Sequence, residues 1–203
     1  QTTWKSNFSV SQTGILVYQL VGGRQGCQLL LLDRAGKTTR TIGSGGNIHN
    51  IYFARDARGV AYTTQEIPTG DIYYYDLDRD MRRRLTFSSD DEDNPVLSPS
   101  GDRVAFSVLT GLGGQRRTEN RSLSISGAGE EKDLVAFDST GYIWLFDWSP
   151  DGQYLLCAAG LYSAEGASTI THRQIDNTSR VIPFLAGREL VESARFSPDG
   201  KWI

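Results

Sequence analysis

The stretch Trp148-Ser149-Pro150-Asp151-Gly152, followed by the apolar run Tyr154-Leu155-Leu156-Cys157, decides how this chain is read. Serine first, proline second and glycine fourth suit a type I turn: proline presets φ at the second position, and glycine leaves the turn without steric cost. The stretch therefore predicts a strand, a tight turn and a second strand. It also recurs. Pro198-Asp199-Gly200 lies between Phe196-Ser197 and Lys201-Trp202-Ile203, and Ser98-Pro99-Ser100-Gly101 precedes Val104-Ala105-Phe106. Weaker copies run from Ala54-Arg55-Asp56 into Val60-Ala61-Tyr62 and from Ser11-Gln12-Thr13-Gly14 into Leu16-Val17-Tyr18. Anchored on the first turn position (Ser11, Ala54, Ser98, Ser149, Ser197), the steps are 43, 44, 51 and 48 residues. That spacing defines a repeat protein.

Helical arrays and propeller blades both repeat at roughly 40–47 residues, so the content of each period has to choose between them. Each unit holds short apolar runs rich in Val, Ile, Leu, Tyr and Phe, separated by Gly, Asp, Asn, Ser or Pro, and no segment sustains a 3.6-residue stripe. Four strands can be placed per unit. Four-stranded antiparallel sheets repeated about an axis are the blades of a β-propeller, so the predicted fold is all-β. The predicted blades span 8–50, 51–93, 94–144 and 145–192, with an incomplete fifth from 193. Runs such as Leu155-Leu156 or Tyr73-Tyr74-Tyr75 fit blades covered on both faces by their neighbours. The chain opens on Gln1 and its fifth unit stops at Ile203 as an open strand edge, so the natural protein is expected to continue, and open edges invite self-association.

Composition narrows the function. A hydrophobic fraction of 38% with 22% charged residues describes a globular chain, and a net charge of -3 offers no basic stripe for nucleic acid. The one dense basic run, Arg82-Arg83-Arg84, follows Asp76, Asp78 and Asp80 and is expected to sit in a charge-balanced hairpin. No run approaches the ~18 apolar residues of a membrane span, so this segment is not expected to insert directly. Cys27 and Cys157 fall in different units and are expected to be free thiols.

These residues carry a resemblance. The Trp-Ser-Pro-Asp-Gly and Leu-Ser-Pro-Ser-Gly turns, each followed by an apolar strand, together with Arg84-Leu85-Thr86-Phe87 leading into Asp93-Asn94-Pro95, resemble the WD-repeat-like propeller repeats of TolB-like proteins over residues 8 to 203. Phe8 to Tyr18 and Leu31 to Lys37 are similar to the propeller regions that follow the kinase domain of some bacterial serine/threonine kinases. The resemblance implies a protein-binding or sensing module in a periplasmic or extracytoplasmic setting, with a cytoplasmic one left open. The same blades occur in prolyl oligopeptidase-type enzymes, where the ring gates a separate catalytic domain. The second unit departs from the pattern at Ala54-Arg55-Asp56, where a looser turn is expected.

Catalytic chemistry is not visible. There is no Gly-x-Ser-x-Gly elbow, and the two imidazoles, His49 and His172, fall about three units apart. The reading is of a chain without catalytic residues, cofactor or metal. Gly127-Ala128-Gly129-Glu130-Glu131-Lys132 lacks the pattern of a phosphate loop. Asp90-Asp91-Glu92-Asp93-Asn94 is the best metal candidate, but Pro95 stands where a calcium loop wants glycine, and a solvated inter-blade loop is expected instead.

Binding is expected at the end of the channel that gathers the inter-blade loops and those joining second and third strands, because loops on a rigid scaffold carry function. The candidates there are His49, Asn50, Asp93, Asn94, Arg116, Arg117, Tyr142, Trp144 and Glu192. Aromatic residues and arginine are the types that anchor interfaces. The competing role for Tyr142 and Trp144 is packing between blades. The partner expected is a protein or peptide, with a small ligand as the other option.

Overall fold

A computed structural model describes residues 8–11, 13–22, 26–42, 47–66, 69–111, 117–127, 132–135, 141–161, 168–174, 181–186 and 193–203. Its sixteen strands form four antiparallel sheets in simple sequence order. The first holds β1 (Phe8–Val10), β2 (Leu16–Gly22), β3 (Gly26–Leu32) and β4 (Thr38–Ile42), and the second β5 (Ile48–Phe53), β6 (Gly59–Glu66), β7 (Thr69–Asp76) and β8 (Met81–Arg84). The third holds β9 (Asp91–Leu97), β10 (Arg103–Thr110), β11 (Arg117–Ser124) and β12 (Lys132–Val135), and the fourth β13 (Gly141–Trp148), β14 (Tyr154–Leu161), β15 (Ser168–Gln174) and β16 (Val181–Ala186). Residues 193–203 begin a fifth unit. The molecule is a partial β-propeller, with β1, β5, β9 and β13 innermost.

Sheets of this kind must bury both faces, and the core follows that rule. One cluster joins the first and second blades through Val17, Leu29, Phe53, Val60 and Tyr62. A second runs from the second blade through the third to the fourth, with Ala61, Ile72, Phe106, Val108, Ile143 and Leu155 fully enclosed. A third seats Phe196 and Ala194 of the fifth unit on Phe146, Leu156 and Ala158 of the fourth. Each large side chain so enclosed contributes about 1.5–3 kcal/mol. Cys27 and Cys157 are free and buried.

The repeated turn closes by one device. The amide of the fourth residue donates to the carbonyl of the first at Gly14–Ser11 (3.0 Å), Gly101–Ser98 (2.9 Å), Gly152–Ser149 (2.9 Å) and Gly200–Ser197 (2.9 Å). The anchor hydroxyl then accepts from the returning strand, as Tyr154 N–H does to Ser149 Oγ at 2.8 Å. The second unit keeps the first bond, Ala57 N–H to Ala54 at 3.0 Å, but Ala54 has no hydroxyl for the second. Ala57 also stands at φ 62, where every other copy has glycine. The turn is closed but strained, since a side chain in the left-handed region costs roughly 1–2 kcal/mol.

The inner strands share a second device. In β5 the pair Asn50-Ile51 opposes the single residue Tyr62, in β9 Asn94-Pro95 opposes Phe106, and in β13 Leu145-Phe146 opposes Cys157. These bulges fall at the same two positions of each unit, and proline is tolerated at one because a bulge needs no ladder donor there. Asn50 and Asn94 take φ 46 and 52, a conformation asparagine accepts better than most residues.

Two expectations change. The acidic run is not a solvated loop: Asp91 to Asn94 belong to β9, and Glu92 is 2% exposed. The run earns its strand because its side chains cap the second blade, with Asp91 accepting Gly70 N–H at 2.7 Å and Glu92 accepting the Ser88 hydroxyl. Nor do Arg82 to Arg84 balance Asp76, Asp78 and Asp80. Arg82 and Arg83 lie over the rings of Tyr73 (4.1 Å) and Tyr74 (5.7 Å), and Arg84 pairs with Asp71 at 2.7 Å. Arg83 stands directly opposite Tyr74 and Arg82 opposite Tyr75, two residues from Tyr73 on the same face, whereas Asp76 ends β7 opposite Met81 and Asp78 and Asp80 occupy the turn.

Two substitutions test this account by denaturant unfolding. Ala57→Gly should stabilise the chain by about 1 kcal/mol, by removing the left-handed strain. Gly70→Ala should destabilise it by about 1–3 kcal/mol through overpacking, because a Cβ at Gly70 would sit 2.7 Å from the Glu92 carbonyl oxygen of the next blade.

Candidate functional site

The bulges turn the inner strands so that alternate residues face the channel, and the position two before each turn anchor lands there with a different side chain in each unit. These residues are Ser9, Tyr52, Val96, Asp147 and Arg195. All five line a cavity of about 710 Å³ in the half of the channel nearest the repeated turns, which also contribute Ser11, Arg55 and Pro198.

At its centre is Asp147, whose side chain is 3% exposed. A carboxylate removed from water to that degree costs several kcal/mol unless its lone pairs are met. Here donors come from three blades. The Tyr52 hydroxyl and the Trp148 amide (2.9 Å) donate to Oδ1, and the Phe196 amide of the fifth unit donates to Oδ2 at 2.8 Å. The guanidinium of Arg55 stands 3.5 Å from Oδ2 while donating to the Trp148 carbonyl at 2.9 Å. Arg195 lies 3.7 Å from Oδ1 with its guanidinium 4.5 Å above the Tyr52 ring. Burial first, and then the charge of Asp147, push the Tyr52 hydroxyl well above the ordinary tyrosine range, while Arg195 and Arg55 oppose the shift. Tyr52 therefore stays protonated and donates. The bridge crosses the channel, because Tyr52 and Arg55 belong to the second blade and Asp147 to the fourth.

Of the nine residues singled out from sequence, the structure brings three together. Asn50 Nδ2 donates to Asp93 Oδ1 at 2.7 Å, the Thr63 hydroxyl donates to the same oxygen at 2.8 Å, and Asn94 follows directly. Asn50 and Asn94 also line the cavity. His49 is half-buried opposite Thr63, with its Nε2 enclosed and without a hydrogen-bond partner. His172 lies on β15 of the fourth blade, so the two histidines do not share a site. Arg117 begins β11 with its side chain 60% exposed and 3.7 Å from Glu119. Tyr142 and Trp144 stack on each other (ring centroids 4.5 Å apart), and Trp144, like Phe196, packs against the cluster of Phe146, Leu156 and Ala158. Arg116 and Glu192 lie outside the described residues. Among the described residues no group of three or more His, Cys, Asp or Glu is placed to hold a metal ion, and no helix is long and apolar enough to cross a membrane.

Sequence reasoning missed two features. The Tyr52–Asp147–Arg195 bridge was findable only by superimposing the units and asking which repeat position varies in charge. Phe87 follows the end of β8 in the inter-blade connection and is 73% exposed, with the Arg84 guanidinium 4.9 Å from its ring. Its signal was the polar run Ser88-Ser89-Asp90 immediately after it.

With this geometry in hand, comparison with known proteins supplies the fold's relatives. No protein-family model matches the sequence, and no curated protein does. Among solved structures, TolB from Acinetobacter baumannii superposes with a TM-score of 0.73 at 20% identity, over 96% of this chain and 46% of that one. A TolB of Agrobacterium tumefaciens gives 0.75 at 19%, over 96% of this chain and 70% of the other. Puromycin hydrolase gives 0.70 at 16%, over 98% of this chain and 35% of the enzyme. The chain thus spans under half of the Acinetobacter protein. At such identities the likeness establishes a TolB-like propeller fold and no activity.

Removal of the central carboxylate should be expensive. Asp147→Ala is expected to lower unfolding free energy by about 3–5 kcal/mol, as breaking a buried ion pair does, and a loss under about 1 kcal/mol in urea unfolding would show that the bridge is incidental.

Proposed function

We propose that this chain is a non-catalytic propeller module that recognises a protein or peptide through the loop-rich end of its channel. The observation that carries the reading is Phe87, 73% exposed in the connection between the second and third blades and held by Arg84, which is itself fixed by Asp71. An exposed aromatic beside an ordered arginine is the composition of an interface anchor, and a preordered side chain loses little entropy on binding. Asn50, Asp93 and Thr63 form a rigid polar shelf on the same pair of blades.

The TolB neighbours support the TolB-like scaffold over the sensor of a receptor-like kinase, and with it an extracytoplasmic setting. The second reading is a gating propeller for a prolyl oligopeptidase-type catalytic domain, favoured by the likeness to puromycin hydrolase. The cross-channel bridge weighs against it. A peptide threading the ring would have to part Tyr52 from Asp147 and Arg55 from the Trp148 carbonyl.

Peptides selected on the immobilised chain from a display library test the reading. They are expected to bind in solution and to lose at least tenfold in affinity on Phe87→Ala, about 1.4 kcal/mol. Hydrolysis of peptide esters by the chain, or binding indifferent to Phe87→Ala, would overturn it.

A further inference from the structure

The cavity at the other end of the channel has a chemistry of its own, independent of whether Phe87 anchors a partner. Among the described residues its lining contains two guanidinium groups, Arg55 and Arg195, and one carboxylate, Asp147. Among these residues that is a surplus of one positive charge, inside a chain whose net charge is -3. The surplus is available, because Asp147 is served first by neutral donors: the Tyr52 hydroxyl and the Trp148 and Phe196 amides take three of its roughly four lone-pair positions. Arg55 and Arg195 remain at 3.5 and 3.7 Å from that carboxylate, at or beyond the limit of a hydrogen bond. Arg55 Nε is buried without a partner. Arg195 is positioned by the Tyr52 ring rather than by an acceptor, and 44% of its side chain is exposed. Among the described residues no acceptor lies within hydrogen-bonding distance of its guanidinium.

Beside these cations the wall is apolar. Phe8 and Val10 of β1 line the cavity, as does Phe196 of the fifth unit. A volume of about 710 Å³ lies within the roughly 300–1,000 Å³ of small-molecule sites. We infer that this cavity is a binding site for a small monocarboxylate with an apolar body, its carboxylate held by Arg195 and Arg55 and its body against Phe8, Val10 and Phe196. Guanidinium forks match a planar carboxylate in two parallel hydrogen bonds. The charge limits the ligand to one anionic group: a dianion would leave a net negative charge beside buried Asp147, where like charges are costly.

Calorimetric titration of the 203-residue chain with 3-phenylpropionate, its amide 3-phenylpropionamide, and inorganic phosphate tests the inference. The acid is expected to bind saturably at one site, the amide at least tenfold more weakly, and phosphate less well than the acid. Arg195→Gln should weaken the acid at least tenfold and leave the amide unchanged, while Phe87→Ala should leave both unchanged. Equal affinity for acid and amide, no saturable binding of the acid, phosphate binding as tightly as the acid, or an Arg195→Gln protein that binds the acid normally would each overturn it. Should Arg195→Gln fail to fold, Arg195→Lys retains the charge without the fork and should still weaken the acid, and the comparison of acid with amide on the unaltered chain decides without any variant.

Discussion

A carboxylate that is 3% exposed has to be answered by donors, and Asp147 is answered from three blades at once. Sequential contacts between blades fix each sheet only against the next. The bonds to Asp147 are different in kind, because Tyr52 and Arg55 reach it from the second blade over the head of the third, and Phe196 reaches it from the fifth unit. The low dielectric around the group makes each bond stronger and makes a missing one more costly, so the fifth unit's entry into the ring and the position of Tyr52 depend on one side chain.

The channel is a place where a repeated backbone carries unrepeated chemistry. The turn, the bulge four and three residues before its anchor, and the enclosed residue opposite the bulge recur in the second, third and fourth blades with the same spacing. Backbone geometry therefore brings one residue per unit to the channel wall at the same height. What stands there is a tyrosine, a valine, an aspartate or an arginine, and the aspartate and arginine settle the local charge. Asn50 and Asn94 occupy the matching bulge position in two blades because their backbone is left-handed there, and one of them doubles as a donor to Asp93.

The two ends of the channel consequently differ in what they offer. At the loop-rich end an aromatic ring stands out of the surface on an arginine that is itself fixed by a carboxylate, an arrangement suited to a broad macromolecular contact. At the turn-bearing end the concavity is deep, one wall is apolar, and the guanidinium groups are left with donors to spare, an arrangement suited to a small anion. The bridge at Asp147 spans the channel between the second and fourth blades, and Asn50 and Asn94 line the cavity beside it.

The sequence alone determined the architecture, since strand length, the Ser-Pro-Asp-Gly turn and a period of 43 to 51 residues are local properties that survive without tertiary context. The departure at Ala54 was visible but its outcome was not: a looser turn was expected, and the turn instead closes at 3.0 Å with the strain taken up at Ala57. Tertiary structure decided the acidic run, which becomes strand because its side chains find donors in the preceding blade, and it decided Arg82 to Arg84, whose partners are tyrosines on the neighbouring strand rather than the aspartates beside them in sequence. It also decided the site. Tyr52, Asp147 and Arg195 are separated by 95 and 48 residues, and nothing in local pattern joins them; only the packing of successive blades around the channel brings one hydroxyl, one carboxylate and one guanidinium within reach.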